Sequence, residues 1–452
     1  MFLDGIKVEV IFLFFCLIFG SIFAVVNPPF LTTDEDSHFL KSFDVSQGNF
    51  IHSNPIKVPK SFSIPGVLCL TPIELYTIEN SKKINYTPYF NTQLNVNDMQ
   101  EARSTAISYM PLPYLGVAFV IKVGELFNAS PLVLMYFGRL INLLIYAIIV
   151  YFGIKIVPTG KYMFLLIALM PKSLNLAASV SADSLNLALS FFTICLFLNL
   201  AFKEDRIHRK DVFFVSVCIL GLALSKQIYA LLGLLFFIVP KDKFLSLKSR
   251  IIYFIYTILP SFIFFIFWSY LRFIYNNTIH QSITHQYYLT PTIFLTLISI
   301  IITEFNKWVV LFVGCFGWSI LDDPLPLSIV YLYISVLIFV SIFDICKFSL
   351  SIKQKLISLF CFIMGIMTIF YVAFKWVGSE SLVYICGTIW GIQGRYFIPF
   401  APLFFLILQN QKVTNYFLYR KDYLKYLNLF IIIFVGVTLT ISTYYLCTGV
   451  RN

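Results

Sequence analysis

Residues 251–275 read IIYFIYTILPSFIFFIFWSYLRFIY, a run that is almost entirely apolar and aromatic. A helix needs about 20 such residues to cross the hydrocarbon core of a bilayer. A second run of this kind extends from Tyr426 to Tyr445. Of all 452 residues, 59% are hydrophobic and 12% are charged, whereas about a quarter of a soluble domain is charged. The sequence therefore predicts an all-α, polytopic integral membrane protein.

The net charge of +11 comes from basic residues that form short clusters between the apolar runs. Four clusters are prominent, at positions 203–210, 241–250, 347–355 and 412–425. Because basic loops of membrane proteins face the cytoplasm, this pattern indicates topology and argues against nucleic acid as a partner. An even number of crossings must separate each pair of clusters. The sequence therefore predicts a bundle of about 13 transmembrane helices with the N-terminus in the cytoplasm.

Three predictions concern apolar runs that polar residues interrupt. Residues 212–240 are expected to form two short helices that meet at Lys226. Residues 291–320 are expected to form a pair of short helices or a re-entrant hairpin that turns near Glu304. Residues 112–127 are expected to form an interfacial or re-entrant helix.

The chain is expected to form a single domain over residues 1–452, with no separate soluble C-terminal domain. Residues 27–111 follow the first apolar run and have mixed polarity, so we expect them to form a long first extracytoplasmic loop. Loops of this length are usually functional. No internal repeat is visible, and the sequence therefore lacks the inverted-repeat signature of many transporters.

Residues 27–38 read NPPFLTTDEDSH and place three consecutive carboxylates just beyond the first apolar run. Adjacent carboxylates repel one another unless a cation or a shared proton intervenes, which favours a metal, a general base or a bound substrate. Asp and Ser also favour helix N-caps, so the same residues would suit the start of a helix at 36–39. From spacing alone, the two interpretations carry equal weight.

Three further polar residues open or interrupt apolar runs on the same predicted face of the membrane. Asp183 would either cap a helix or converge with Asp34 on a divalent cation, Mg²⁺ or Mn²⁺. Arg395 follows a glycine-rich turn and suits bidentate recognition of phosphate, although an arginine there would also suit snorkelling towards headgroups. Lys226 would hold a phosphate as a point charge or simply interrupt the helix.

Residues 29–39, PFLTTDEDSHF, resemble the P-x-x-x-x-D-E-x-x-H-F signature of a bacterial polytopic family, a domain of unknown function within the GT-C glycosyltransferase superfamily. Further motifs follow in the family's order: PLPY (111–114), GRLIN (138–142), MPKS (170–173), SAD (181–183), SKQ (225–227) and GIQGRYF (391–397). The resemblance implies a fold similar to those of oligosaccharyltransferase, protein O-mannosyltransferase and aminoarabinose transferase.

The same resemblance implies a glycosyltransferase of the bacterial cytoplasmic (inner) membrane with an extracytoplasmic active site. Such an enzyme moves a sugar from a polyprenyl-phosphate or polyprenyl-diphosphate carrier to a glycan, lipid or protein acceptor of the cell envelope. Asp34 and Glu35 match the family's acidic pair and would be catalytic, whereas Asp36 lies outside that pair and would cap the helix. The expected substrate-binding and phosphate-binding residues are Arg395, Gln393, Tyr396, Lys226 and His38.

Two other classes of protein fit the same residues. A transporter or flippase for lipid-linked saccharides would use the cationic side chains to hold a diphosphate in transit. A non-catalytic subunit of an envelope polysaccharide machine would keep the fold without the chemistry. The sequence has no P-loop or Rossmann fingerprint in a suitable context, which argues against soluble nucleotide chemistry.

Overall fold

The run at 251–275 lies within one long helix, Leu247–Asn277, in the computed structural model of the chain. The structure describes residues 6–51, 54–64, 85–277, 291–316, 325–344, 348–377, 392–418 and 423–448. Parts of the last two basic clusters, and Gly391 of the glycine-rich turn, lie outside the described residues.

Most of the described chain is helical. The α-helices are α1 (Val8–Val26), α2 (Glu35–Ser46), α3 (Leu115–Leu126), α4 (Pro131–Ile156), α5 (Lys161–Leu169), α6 (Pro171–Ala177), α7 (Ala182–Phe202), α8 (Arg209–Ser225), α9 (Leu247–Asn277), α10 (Pro291–Val313), α11 (Leu327–Phe343), α12 (Ile352–Val377), α13 (Ala401–Ile407), α14 (Gln411–Leu418) and α15 (Tyr423–Thr448). The 3-10 helices are Lys60–Phe62, Thr87–Asn91, Thr105–Ser108, Leu112–Tyr114, Gln227–Ile238, Lys241–Lys243 and Gly394–Phe400. The two strands are β1 (Ile56–Pro59) and β2 (Met99–Ala102).

Six of these helices are long and apolar enough to cross a membrane, namely α1, α4, α7, α9, α12 and α15. Shorter apolar helices occupy Gln227–Ile238, Leu327–Phe343 and Gly394–Ile407. The protein is therefore a helical membrane protein, as its composition predicted. The described residues supply six spans and do not confirm the predicted count of about 13.

Lys226 separates α8 from the 3-10 helix Gln227–Ile238, which confirms the break predicted within 212–240. The hairpin predicted near Glu304 is wrong, because α10 runs through this residue as one continuous helix. The Nζ atom of Lys307 lies 3.0 Å from Oε2 of Glu304, three residues earlier. An ion pair at this spacing lies on one face of a helix and requires no reversal of the chain. Residues 112–127 contain α3, which has 12 residues and is too short to cross the bilayer core.

The long segment at 27–111 contains ordered elements, and it corrects the all-α prediction in one detail. β1 and β2 form a two-stranded antiparallel sheet in which Ile56 lies opposite Ala102. α2 is buried from Glu35 to Val45. The sheet and α2 share a small apolar core, whose members include Phe39, Phe43, Val58 and Phe62.

The central helix α4 packs against both α1 and α7. Nη1 of Arg139 in α4 donates to the carbonyl oxygen of Ala24 near the end of α1, at 2.8 Å. Nδ2 of Asn142 donates to the carbonyl oxygen of Ser179, just before α7, at 2.9 Å. The segment Gly394–Phe400 also contacts α7. The polar residues that follow α1 and precede α7 and α13 therefore meet at one end of the bundle.

Candidate functional site

A buried ion pair between Glu35 and Arg139 joins the first turn of α2 to α4. Nε of Arg139 lies 2.8 Å from Oε1 of Glu35, and Nη2 lies 2.6 Å from Oε2. The other N–H groups of Arg139 donate to the carbonyl oxygens of Ala24, Asn27 and Pro28, at 2.8, 2.7 and 2.9 Å. All five N–H donors of the guanidinium are therefore satisfied.

The carboxylate of Glu35 is equally saturated. Its Oε1 also accepts the backbone N–H of Val180 at 2.9 Å, and its Oε2 accepts that of Phe30 at 3.1 Å. The side chains of Glu35 and Arg139 have no exposed surface. A general base needs a lone pair that faces the substrate. The prediction that Glu35 shares the catalytic role does not match this geometry, and Glu35 instead fixes the position of α2.

Asp34 is the N-cap residue of α2 and has a left-handed backbone conformation, with φ of 64°. Such a conformation costs a non-glycine residue about 1–3 kcal/mol and persists where the surroundings hold it, often at functional sites. The hydrogen bond from Glu35 N to Thr32 O, at 3.0 Å, closes the turn around it. The side chain of Asp34 makes no capping bond. The prediction that Asp36 caps the helix is wrong, because α2 begins one residue before it.

Arg395 joins Asp34 to Asp183. Its Nη2 pairs with Oδ2 of Asp34, and its Nη1 lies 3.3 Å from Oδ2 of Asp183. Nη1 also donates to the carbonyl oxygen of Thr33 at 3.2 Å. The side chain of Arg395 is 2% exposed, whereas that of Asp34 is 24% exposed. The sequence-predicted residues on three separate elements are thus brought together, with Asp34 at the open edge.

Lys226 pairs with Oδ1 of Asp183. Its ammonium group lies 5.6 Å from the ring centroid of Tyr109 and 5.1 Å from that of Tyr396, distances at which cation–π attraction contributes. Ser181 caps α7, since its Oγ accepts the backbone N–H of Asp183 at 3.1 Å. The interpretation of Asp183 as a simple helix cap is therefore wrong, and its carboxylate instead binds two cationic side chains.

Asp34, Asp183, Lys226 and Arg395 form what we call the ion network, with two negative and two positive charges. A divalent cation would need both carboxylates to face it, but each already binds a cationic side chain. Within the described parts of the chain, no group of three or more His, Cys, Asp or Glu side chains gathers as metal ligands. The ion network thus does not fit the predicted Mg²⁺ or Mn²⁺ site, and Arg395 and Lys226 supply its positive charge.

Gly394 allows the segment that carries Arg395 to lie directly against the backbone of α10. A Cβ atom at this position would lie 2.5 Å from the carbonyl oxygen of Trp308, which is far inside van der Waals contact. The glycine in the GIQGR motif therefore has a packing role. It sets the distance between α10 and the arginine.

His38 and Asp36 are buried beside the ion network. The Nδ1 atom of His38 lies 2.8 Å from the hydroxyl of Tyr114, and burial lowers the pKa of His38 to about 4. The imidazole is therefore neutral at pH 7, and the substrate or phosphate binding predicted for His38 would use a ring N–H group rather than a positive charge. Burial, with added repulsion from Asp34, raises the pKa of Asp36 to about 7.

The other predicted residues of the glycine-rich turn lie at the edge of the network. The phenol oxygen of Tyr396 accepts a hydrogen bond from Nη2 of Arg395 at 3.3 Å. Gln393 precedes the 3-10 helix and accepts the N–H of Tyr396 at its carbonyl oxygen, at 3.0 Å. Its side chain is half-buried and forms no hydrogen bond with the described residues.

Sequence reasoning assigned no role to Arg139 and Tyr109. The signal for Arg139 was present, because an arginine inside a long apolar run is costly unless a partner satisfies it. Tyr109 carried no signal beyond the general abundance of aromatic residues. Its contact with Lys226 depends on how the segment before α3 folds back over α7.

Comparison with known proteins gives a family but no described function. No curated protein and no solved structure matches the chain. One family model matches residues 17–404, a range that includes every member of the ion network. The chain therefore belongs to the family described as "Predicted membrane protein (DUF2142)".

Proposed function

We propose that this protein is a membrane glycosyltransferase that transfers a sugar from a polyprenyl-phosphate-linked donor to an acceptor on the extracytoplasmic face of the membrane. The observation that carries the proposal is the pairing of Asp34 with Arg395 at the edge of an otherwise buried ion network. One partner is an acid that can accept a proton, and the other is a cation suited to phosphate.

In the proposed reaction, an acceptor hydroxyl attacks the anomeric carbon of the donor sugar and loses its proton to the carboxylate of Asp34. The bond between the anomeric carbon and the phosphate oxygen breaks, and its electron pair leaves with the lipid phosphate. Arg395 stabilises the negative charge that develops on that phosphate. The products are the new glycoside, the free lipid phosphate and the protonated carboxyl group of Asp34.

The pair also links substrate binding to the position of Asp34. When a donor phosphate engages Arg395, the guanidinium divides its hydrogen bonds between two anions, so the contact that holds Asp34 weakens and its carboxylate can turn to the acceptor hydroxyl. Asp183 holds the guanidinium from its other side, so Arg395 keeps its place while its partner changes.

Lys226 and Glu35 act in this scheme as positioning residues. Lys226 neutralises Asp183 at Oδ1, which leaves Oδ2 facing Arg395. Glu35 is the residue next to Asp34, and four hydrogen bonds hold its carboxylate in place. The catalytic carboxylate therefore stands on a rigid support, as preorganised catalysis requires.

The substitution Asp34→Asn tests the proposal, since it keeps the shape of the side chain and removes its basicity. Lipid-linked sugars extracted from cells that express the wild type or the variant would be compared by mass spectrometry. We expect transfer to fall by about 10²–10⁴-fold, with one lipid-linked sugar accumulating. Asp98→Asn is the matched control, because Asp98 pairs with Lys60 at the surface with 53% of its side chain exposed.

Full transfer by the Asp34→Asn variant would remove the proposal. Movement of a lipid-linked saccharide across vesicles, with no change in its mass in the wild type, would instead indicate a transporter. Normal envelope composition after both Asp34→Asn and Arg395→Met substitutions would indicate a non-catalytic subunit.

A further inference from the structure

Lys172 is a buried cation to which the proposed reaction gives no role. It lies in α6, within the MPKS motif, and is 2% exposed. Two other buried lysines, Lys41 and Lys226, each pair with a carboxylate. Within the described part of the chain, no hydrogen bond or ion pair reaches the ammonium group of Lys172. A buried charge without a partner costs several kcal/mol, so its retention points to a bound anion.

The position of α6 places Lys172 beside the ion network. This helix packs against both α7, which carries Asp183, and the segment Gly394–Phe400, which carries Arg395. Lys172 interacts electrostatically with Cys315 and, more weakly, with Arg395, Asp183 and Asp34. Lys172 and Arg395 therefore share one buried region, although they lie far apart in the sequence.

Unpaired polar atoms on the same three elements extend this observation. Asn175 lies one turn after Lys172, on the same face of α6, and both atoms of its amide group are buried without a partner. The same holds for Nε of Arg395 and for Oδ1 of Asn186, one turn after Asp183 in α7. Buried polar groups in proteins are nearly always hydrogen-bonded. Their grouping on adjoining elements is expected where a polar ligand completes the site.

The charge of the region defines the ligand. The ion network is neutral, because its two carboxylates balance its two cations. Lys172 adds one positive charge, and the carboxylates with which it interacts, Asp183 and Asp34, already pair with Lys226 and Arg395. The N–H groups on Lys172, Asn175 and Arg395 are donors that call for an acceptor with several oxygens. A phosphate ester supplies both the negative charge and the oxygens.

We propose that Lys172 and Arg395 together bind the phosphate group of the lipid-linked donor, with the amide of Asn175 as an additional donor. The inference rests on the proposed function in one respect only, the presence of a sugar on the bound lipid. Binding of the lipid phosphate does not depend on it, because Lys172 would bind the carrier whether or not a sugar is transferred. In this arrangement Lys226 is not a phosphate ligand, because Asp183 already neutralises it.

Binding of a long-chain polyprenyl phosphate to the purified full-length protein in detergent tests the inference without any need for turnover. The substitution Lys172→Met removes the charge and keeps an unbranched chain. We expect it to weaken binding by about ten-fold or more, the effect of losing one charged hydrogen bond. Lys60→Met is the matched control, since Lys60 is 59% exposed and lies away from the network. It should bind as the wild type does.

Competition identifies the source of the phosphate. Unlabelled polyprenyl phosphate should displace the labelled lipid from the wild type at lower concentration than phosphatidylglycerol or inorganic phosphate. Equal competition by phosphatidylglycerol would overturn the inference in favour of a phospholipid headgroup site. Unchanged binding by Lys172→Met would overturn it outright.

Thermal unfolding of the ligand-free proteins separates binding from folding. Because methionine relieves the cost of an unpaired buried charge, Lys172→Met should be at least as stable as the wild type. The Asp34→Asn variant should retain binding while it loses transfer. If the wild type bound polyprenyl phosphate through Lys172 but transferred no sugar, the result would contradict the proposed function and support this inference.

Discussion

Glu35 and Arg139 lie 104 residues apart in the sequence and meet as a fully buried ion pair with two parallel contacts, at 2.8 and 2.6 Å. The pair ties the turn after α1 to α2, α4 and the residues before α7. The ion network next to this pair is therefore held in place by a contact between elements far apart in the sequence. The contribution of the pair to stability can be measured.

The effects of removing the two partners of this pair should not be additive. Glu35→Gln and Arg139→Met each leave an uncompensated buried charge and should lower the free energy of unfolding by about 3–5 kcal/mol. Chemical denaturation in detergent measures the effect. The double variant should lose less than the sum of the two single losses, and simple additivity would contradict a direct coupling.

Asp183 and Lys226 should show a similar coupling. Asp183→Asn leaves the positive charge of Lys226 without a counter-ion and removes one of the two carboxylates that pair with Arg395, so it should destabilise the protein by about 3–5 kcal/mol. Adding Lys226→Met to Asp183→Asn should restore part of that stability. If the second substitution made the protein less stable, the two side chains would not form the pair described here.

Gly394→Ala should disturb the site through the backbone of α10. Its methyl group would overlap the carbonyl oxygen of Trp308, so the segment must shift and carry Arg395 away from Asp34. We expect a loss of stability of about 1–3 kcal/mol, as for overpacked cores, and reduced binding of polyprenyl phosphate. Gly436→Ala is the control, because its nearest neighbour, Cε1 of Phe15, lies at 3.6 Å and the protein should tolerate it.

Asp36 should make stability depend on pH in a defined direction. Burial raises its pKa from 3.8 to about 7, so the folded chain binds a proton that the unfolded chain releases. This contribution to stability is present below about pH 4 and is lost as the pH rises to about 7. His38 acts oppositely, since its pKa falls from 6.5 to about 4 and its contribution is lost as the pH falls.

The Asp36→Asn variant isolates these two effects. Thermal midpoints measured between pH 4 and pH 7 should rise with pH more steeply in the variant than in the wild type. The reason is that the variant lacks the stabilisation by Asp36 that declines with rising pH and opposes the effect of His38. Parallel profiles for the two proteins would show that Asp36 titrates in the folded state as it does in the unfolded chain.

The sequence was sufficient to predict a membrane protein, because its apolar runs are long enough to cross a bilayer. It also predicted that Asp34, Asp183 and Arg395 lie on one side of the membrane, because each stands at the end of an apolar run. The different roles of Asp34 and Glu35 could not be predicted from the sequence. Both are acids in one motif, and only the tertiary contact with Arg139 distinguishes the saturated carboxylate from the open one.

Errors in the predicted fold have similar local causes. Glu304 and Lys307 resembled the polar tip of a hairpin, but side chains three residues apart can neutralise each other within one helix. The small sheet of β1 and β2 was missed because each strand has four residues, too few for an alternating pattern to emerge.

The contact at Gly394 has a mechanical consequence. With only hydrogen between this residue and α10, no flexible side chain exists to absorb a displacement of the helix. A slide of α10 by a single residue, about 1.5 Å along its axis, would push directly on the backbone next to Arg395. A displacement of α10 would therefore change the distance between Arg395 and Asp34, and a force applied to this helix would be transmitted to the site.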